Sequence, residues 1–168
     1  MNDDSIPLAS PLRRAAGALV ALAATAASLT AQTPESSVTS PHQAIVSAVE
    51  HMASAFARSD LGGVMDAYEP QATVAFQPGE PVSGAPELRR MFTNAFTASP
   101  RFTFGEHEVI VSGDLALHLT PWTMRGTAPD GKQIQQEGLS VAVLRKQGDG
   151  RWLLVIDNPH GQRLLRTP

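Results

Sequence analysis

At Ser99-Pro100 the spacing of apolar residues changes from one in three or four to one in two. Ahead of that point Ile45, Val49, Met52 and Phe56 recur at helical spacing, and so do Leu61, Val64, Met65 and Tyr68. Leu88, Met91, Phe92, Ala95 and Phe96 do the same before Pro100. Beyond it the chain alternates, and alternation is the signature of a strand with one covered face. A chain that places helices first and strands last must lay the helices over one face of a sheet. The switch therefore points to an α+β fold in which the sheet's other face needs water or a partner.

The punctuation refines this. Ser40-Pro41 offers an N-cap followed by proline in the first helical turn. Asp60 starts a short second helix, which Glu69-Pro70 is expected to stop. Ala72 to Phe76 reads as a short strand and Pro78-Gly79-Glu80-Pro81 as a turn; a third helix starts at Ser83 to Pro86. Four long strands follow: Phe102 to Ser112, Leu115 to Met124, Ile134 to Lys146 and Trp152 to Asp157. Gly113-Asp114, Pro129-Asp130-Gly131 and Gly148-Asp149-Gly150 separate them, which predicts an antiparallel meander.

Residues 1–31 read differently. Arg13-Arg14 precede an uncharged, Ala-rich run from Ala15 to Ala31 with small residues near its end, the order of a secretory leader. Asp3 and Asp4 run against that order, and Ala15-Ala16 stand where a twin-arginine leader carries bulkier residues. The segment is expected to be cleaved between Ala27 and Thr33, giving a periplasmic or secreted protein. An uncleaved membrane anchor and a disordered cytoplasmic extension are the other readings, and only the anchor brings a membrane contact. Residues 32–40 form a polar linker, residues 41–161 the domain and residues 162–168 a tail. The chain carries 13 Lys and Arg against 16 Asp and Glu, with no basic stripe, so nucleic acid is not an expected partner. Having no cysteine, it has neither disulfides nor thiolate chemistry.

Several of these features resemble one family when taken in order. They are the Asp60-Leu61 helix start, Ala72-Thr73-Val74, Ser83-Gly84, Trp122 with Gly126, and Asp149-Gly150-Arg151-Trp152 before the last strand. Over residues 41 to 161 the chain resembles the SnoaL-like and ketosteroid isomerase-like branches of the nuclear transport factor 2-like superfamily. The resemblance implies a cone-shaped α+β fold, with a curved, antiparallel or mixed sheet packed against three N-terminal helices. It also implies a conical cavity between the helices and the concave face, and dimerisation through the sheet. It does not imply one activity, because this fold carries many. Ketosteroid isomerases need a base carboxylate, a Tyr and a protonated Asp. Their positions fall on Phe76, Met52 and the stretch Ser140 to Ala142, where no carboxyl exists, so isomerase activity on steroids is not expected.

Candidate site residues follow from the strand faces. Ala116, His118, Thr120, Trp122 and Met124 share one face, which in the relatives looks into the cavity. His118 can exchange a proton near neutral pH, or serve as a hydrogen-bonded structural group. Asp157 ends the last strand and can act as a base if burial raises its pKa, or hold the Asn158-Pro159 turn. Met52, Phe56, Tyr68, Phe76, Met91, Phe92, Trp122 and Met124 are the expected apolar wall. His42, His51, His107, His118 and His160 show no metal-ligand spacing, and His107 between Glu106 and Glu108 gives alternating faces rather than a cluster. No metal or cofactor is expected.

Three functions stay open: a binding domain for a small apolar molecule, an isomerase, cyclase or hydratase using His118 or Asp157, and an interaction domain using the sheet face. A homodimer is expected, since the outer sheet face also carries alternating apolar residues.

Overall fold

A computed structural model describes residues 39–77 and 79–165. The leader and most of the linker expected at residues 1–38, and the tail residues 166–168, lie outside the described residues. Helix α1, Pro41–Ala57, opens with a reciprocal cap in which Ser40 accepts from the Gln43 backbone while Gln43 reaches back to Ser40. Asp60 caps α2, Leu61–Met65, accepting from the Gly63 amide at 2.9 Å. Strands β1, Tyr68–Gln77, and β2, Glu80–Ser83, form a hairpin ahead of α3, Ala85–Ala95. The strands β3, Arg101–Phe104, β4, Glu108–Ser112, β5, Leu115–Thr127, β6, Gln133–Lys146, and β7, Trp152–Asn158, complete the sheet.

The sheet order is β2-β1-β7-β6-β5-β3, with β4 continuing the β3 edge alongside β5. All pairs are antiparallel except β1 with β7, so the sheet is mixed. The last strand thus fills the place between the β1–β2 hairpin and the meander. Ile45, Val49 and Phe56 of α1, Val64 of α2, and Leu88 and Phe92 of α3 are buried against Ala72, Val74, Leu144, Trp152 and Leu154. No helix among the described residues is long and apolar enough to cross a membrane.

Three expectations change. Tyr68 does not end a helix: it begins β1, which runs through Pro70 because β1 is irregular between Tyr68 and Thr73, where a missing N–H costs no regular ladder bond. The single strand expected over Phe102 to Ser112 is two strands, broken at Gly105-Glu106-His107. The tail turns into a 3-10 helix at Gly161–Leu165, and Gln162 accepts from the Leu139 amide at 2.8 Å, tying this segment to β6.

The outer face carries the cross-strand row Ile110, Leu117, Val143 and Ile156. Ile110 and Ile156 remain about half exposed, at 53% and 48%.

Candidate functional site

Between the helices and the concave sheet face lies a cavity of about 570 Å³. Met52 and Phe56 of α1 and Phe92 of α3 form its helical wall, and Phe76, Phe102, Phe104, Trp122 and Met124 form much of the sheet side. Phe56 meets Phe92, Phe96 and Phe102 edge-on at 4.9 to 5.6 Å, the geometry that ring quadrupoles favour. Met91 is corrected: it is half-buried against the core and does not reach the cavity, because the α3 stripe of Leu88, Phe92 and Ala95 takes the inward face.

Trp122 is fixed twice. Its indole N–H donates to the Pro159 carbonyl at 2.8 Å. Across β6 it lies over Gly138, where any Cβ would come within 2.7 Å of the ring. Pro159 and His160 close that end of the cavity, and the His160 imidazole donates from Nε2 to the Phe76 carbonyl at 3.0 Å.

The polar groups lie on one row. Sheet register sets His118 beside Ala142 and Ala142 beside Asp157. Two strand spacings, roughly 10 Å, separate the His and the carboxylate backbones, with only a methyl group between them. All three residues line the cavity.

Asp157 is buried, and the Tyr68 hydroxyl donates to its Oδ2 at 2.8 Å. The expected role at the Asn158-Pro159 turn does not hold. Asn158 itself accepts from the His160 amide there, leaving the carboxylate to face inward. Burial raises the Asp157 pKa, against the opposing pull of hydrogen bonds from Tyr68 and Ser140 and the nearby His160. Burial, then the Asp157 charge, hold the Tyr68 hydroxyl well above its ordinary value, so Tyr68 remains a donor. Tyr68→Phe removes one buried hydrogen bond and is expected to cost about 1–2 kcal/mol in urea unfolding. It should also raise the Asp157 pKa further, which carboxyl ¹³C titration reads.

His118 is fully buried, and its Nε2 lies 2.9 Å from Nδ1 of His107. Its own Nδ1 has no hydrogen-bond partner. Burial first, then His107 and His42, lower its pKa from 6.5 to about 4. The unfolded chain therefore binds protons before the folded one does as pH falls. The stability tied to His118 is complete above about pH 6.5 and is lost as pH falls toward 4. Ring-proton NMR should show His118 still neutral at pH 5. The stability of His118→Gln should fall less steeply than that of the parent between those limits.

Sequence reasoning missed His107, His160 and Ser140. Reading Phe102 to Ser112 as one strand gave His107 no partner, and the one available signal of the break was Pro121, which cannot donate to the strand opposite it. Among the described residues no three His, Asp or Glu side chains gather as a metal site.

The sequence profile of the SnoaL-like domain matches residues 49–155. No curated protein matches the chain. Among solved structures it is similar to a ketosteroid isomerase-like protein from Erwinia carotovora, at 21% identity and a TM-score of 0.61, covering 70% of this chain and 92% of that one. The CaMKII hub of S. rosetta also aligns at 21% identity and TM-score 0.61, covering 71% and 95%. A candidate dehydratase of the NTF2-like family from Streptomyces avermitilis aligns at 20% identity and TM-score 0.61, covering 68% and 90%. Identities this low speak for the fold alone.

Proposed function

The chain belongs to the SnoaL-like domain family, and from that premise we propose that it binds a small, largely apolar molecule and orients its polar groups between His118 and Asp157. One observation carries this reading: two buried ionisable side chains stand on either side of Ala142 on the wall of a single aromatic-lined cavity. Apolar walls with a few convergent polar groups are the usual make-up of a ligand site. The test is mass spectrometry of small molecules that co-purify with the native protein. It is paired with fluorescence titration using N-phenyl-1-naphthylamine, a neutral apolar probe. Saturable one-to-one binding, displaced by the co-purified molecule, is the expected result. Absence of any saturable binding overturns the proposal.

A second reading, proton transfer on the bound molecule, is favoured by the unpaired Nδ1 of His118 and the raised pKa of Asp157. The lowered pKa keeps the His118 imidazole neutral and able to accept a proton from a ligand that engages it directly. Ketosteroid turnover is not part of this reading, since Met52, Phe76 and Ala142 line the cavity as apolar groups.

We also propose that the protein is exported and dimeric. Arg13-Arg14 and the Ala-rich run support export, and N-terminal sequencing of protein from its native cell decides it. The half-exposed Ile110 and Ile156 on the outer row support pairing with a second copy. Light scattering at micromolar concentration should give twice the chain mass, and Ile156→Lys should return it to one.

A further inference from the structure

The break in the edge strand has a local cause. Phe104 pairs with Trp122 and Glu108 with Leu119, so three edge residues face two on β5. The two are Thr120 and Pro121, and Pro121 has no N–H for the ladder. The Gly105 amide still donates to the Pro121 carbonyl at 2.8 Å. Gly105 lies so close to the proline ring that a Cβ there would stand 2.8 Å from Pro121 Cγ. The extra residue is a bulge, and a bulge re-aims side chains. It shifts the alternation by one, so that Val109 pairs with His118 and His107 swings against the same ring. His107 also packs on Phe104, with ring centres 5.7 Å apart.

The shared proton has a preferred place. His118 Nε2 and His107 Nδ1 are 2.9 Å apart, so one of them donates. A buried N–H without an acceptor costs more than a bare lone pair. The unpaired Nδ1 of His118 is therefore the lone pair, and Nε2 carries the hydrogen and donates it to His107. That leaves the His107 proton on its own Nε2. His107 is half-buried, between the exposed Glu106 and Glu108 on the sheet edge. His42 of α1 is the other titratable group whose charge acts on His118.

We propose that His118 and His107 form a two-imidazole relay through the sheet edge, carrying a proton between solvent and a neutral O–H or N–H group of a ligand in the cavity. The proposal rests on the ligand-binding reading above. In the outward direction the ligand X–H bond breaks and its proton joins His118 Nδ1. The His118 Nε2–H bond breaks as His107 Nδ1 gains that proton. The His107 Nε2–H bond breaks and its proton passes to water. Both rings end neutral, with tautomers exchanged; the ligand keeps the electron pair as an anion, and solvent has gained one proton. The reverse sequence delivers a proton inward. The ligand class is thus a weak oxygen or nitrogen acid, such as an enol or phenol. His107 is a relay residue and does not itself touch the ligand.

The test uses the full chain, free of ligand, with ¹⁵N-labelled histidine. The expected spectrum shows His118 protonated at Nε2, bare at Nδ1, and coupled through the hydrogen bond to His107 Nδ1. In His107→Gln the amide oxygen can still accept from His118 but cannot pass the proton on. Exchange of the His118 ring N–H with solvent should slow about tenfold or more, because only local opening then exposes it. The thermal midpoint should change little. A His118 proton found on Nδ1 overturns the relay, and so does an unchanged exchange rate in His107→Gln. If that variant does not fold, the tautomer in the parent protein decides alone. Because no ligand is present, failure here is distinct from failure of the probe titration, which tests the cavity itself.

Discussion

Ala142→Leu is expected to weaken N-phenyl-1-naphthylamine binding by about 100-fold, equivalent to about 2.7 kcal/mol, while leaving the protein folded. Ala142 is the one position between His118 and Asp157 on the concave face, and it lines the cavity. A branched side chain there adds three carbons at the centre of the site. A bound molecule then cannot lie across the row or reach both polar groups. Ala142 is only 2% exposed, so the new side chain also presses on packed neighbours, and a stability loss of about 1–3 kcal/mol is expected beside the binding loss. Titration of both proteins, with circular dichroism and thermal melts, separates the two effects. Undiminished binding in a folded variant would place the ligand elsewhere and sink the proposed site.

The second large effect is on stability. Phe56→Ala should cost about 3–5 kcal/mol in urea unfolding, the range for truncating a buried aromatic ring. Phe56 is 3% exposed and is the ring at which α1, the Phe96 turn after α3, and β3 meet. Its edge contacts bind helices to sheet. Because Phe56 also lines the cavity, its loss enlarges the void, which adds to the transfer cost. A loss below about 1 kcal/mol would mean that the surrounding rings collapse into the space, and that the aromatic cluster is not the joint described here.

Local signals carried much of the fold. Ser40 and Asp60 mark helix starts through caps that depend only on the next three residues. The inward set Ala116, His118, Thr120, Trp122 and Met124 is legible because β5 pairs with β6 without interruption over its whole length. What escaped was set at a distance. The Tyr68–Asp157 hydrogen bond joins residues 89 positions apart, through a parallel pairing that no turn announces. Met91 and Phe92 look equivalent in a helical stripe, and only packing against the sheet chooses between them. His107 meets His118 because the strand breaks opposite a proline, a fact about residue 121 rather than about residues 106 to 108.

The position of β7 governs the order in which the protein becomes competent. Synthesis delivers the β1–β2 hairpin early and the β3 to β6 meander later, as two separate pieces. Only β7, the last of the strands to leave the ribosome, bonds to both. The same strand brings Asp157, and the residues just after it bring Pro159 and His160 to the cavity rim. A nascent or prematurely terminated chain lacking it has neither a continuous sheet nor a closed cavity. The site is therefore complete only once β7 is in place, although most of its apolar wall comes from elements made earlier.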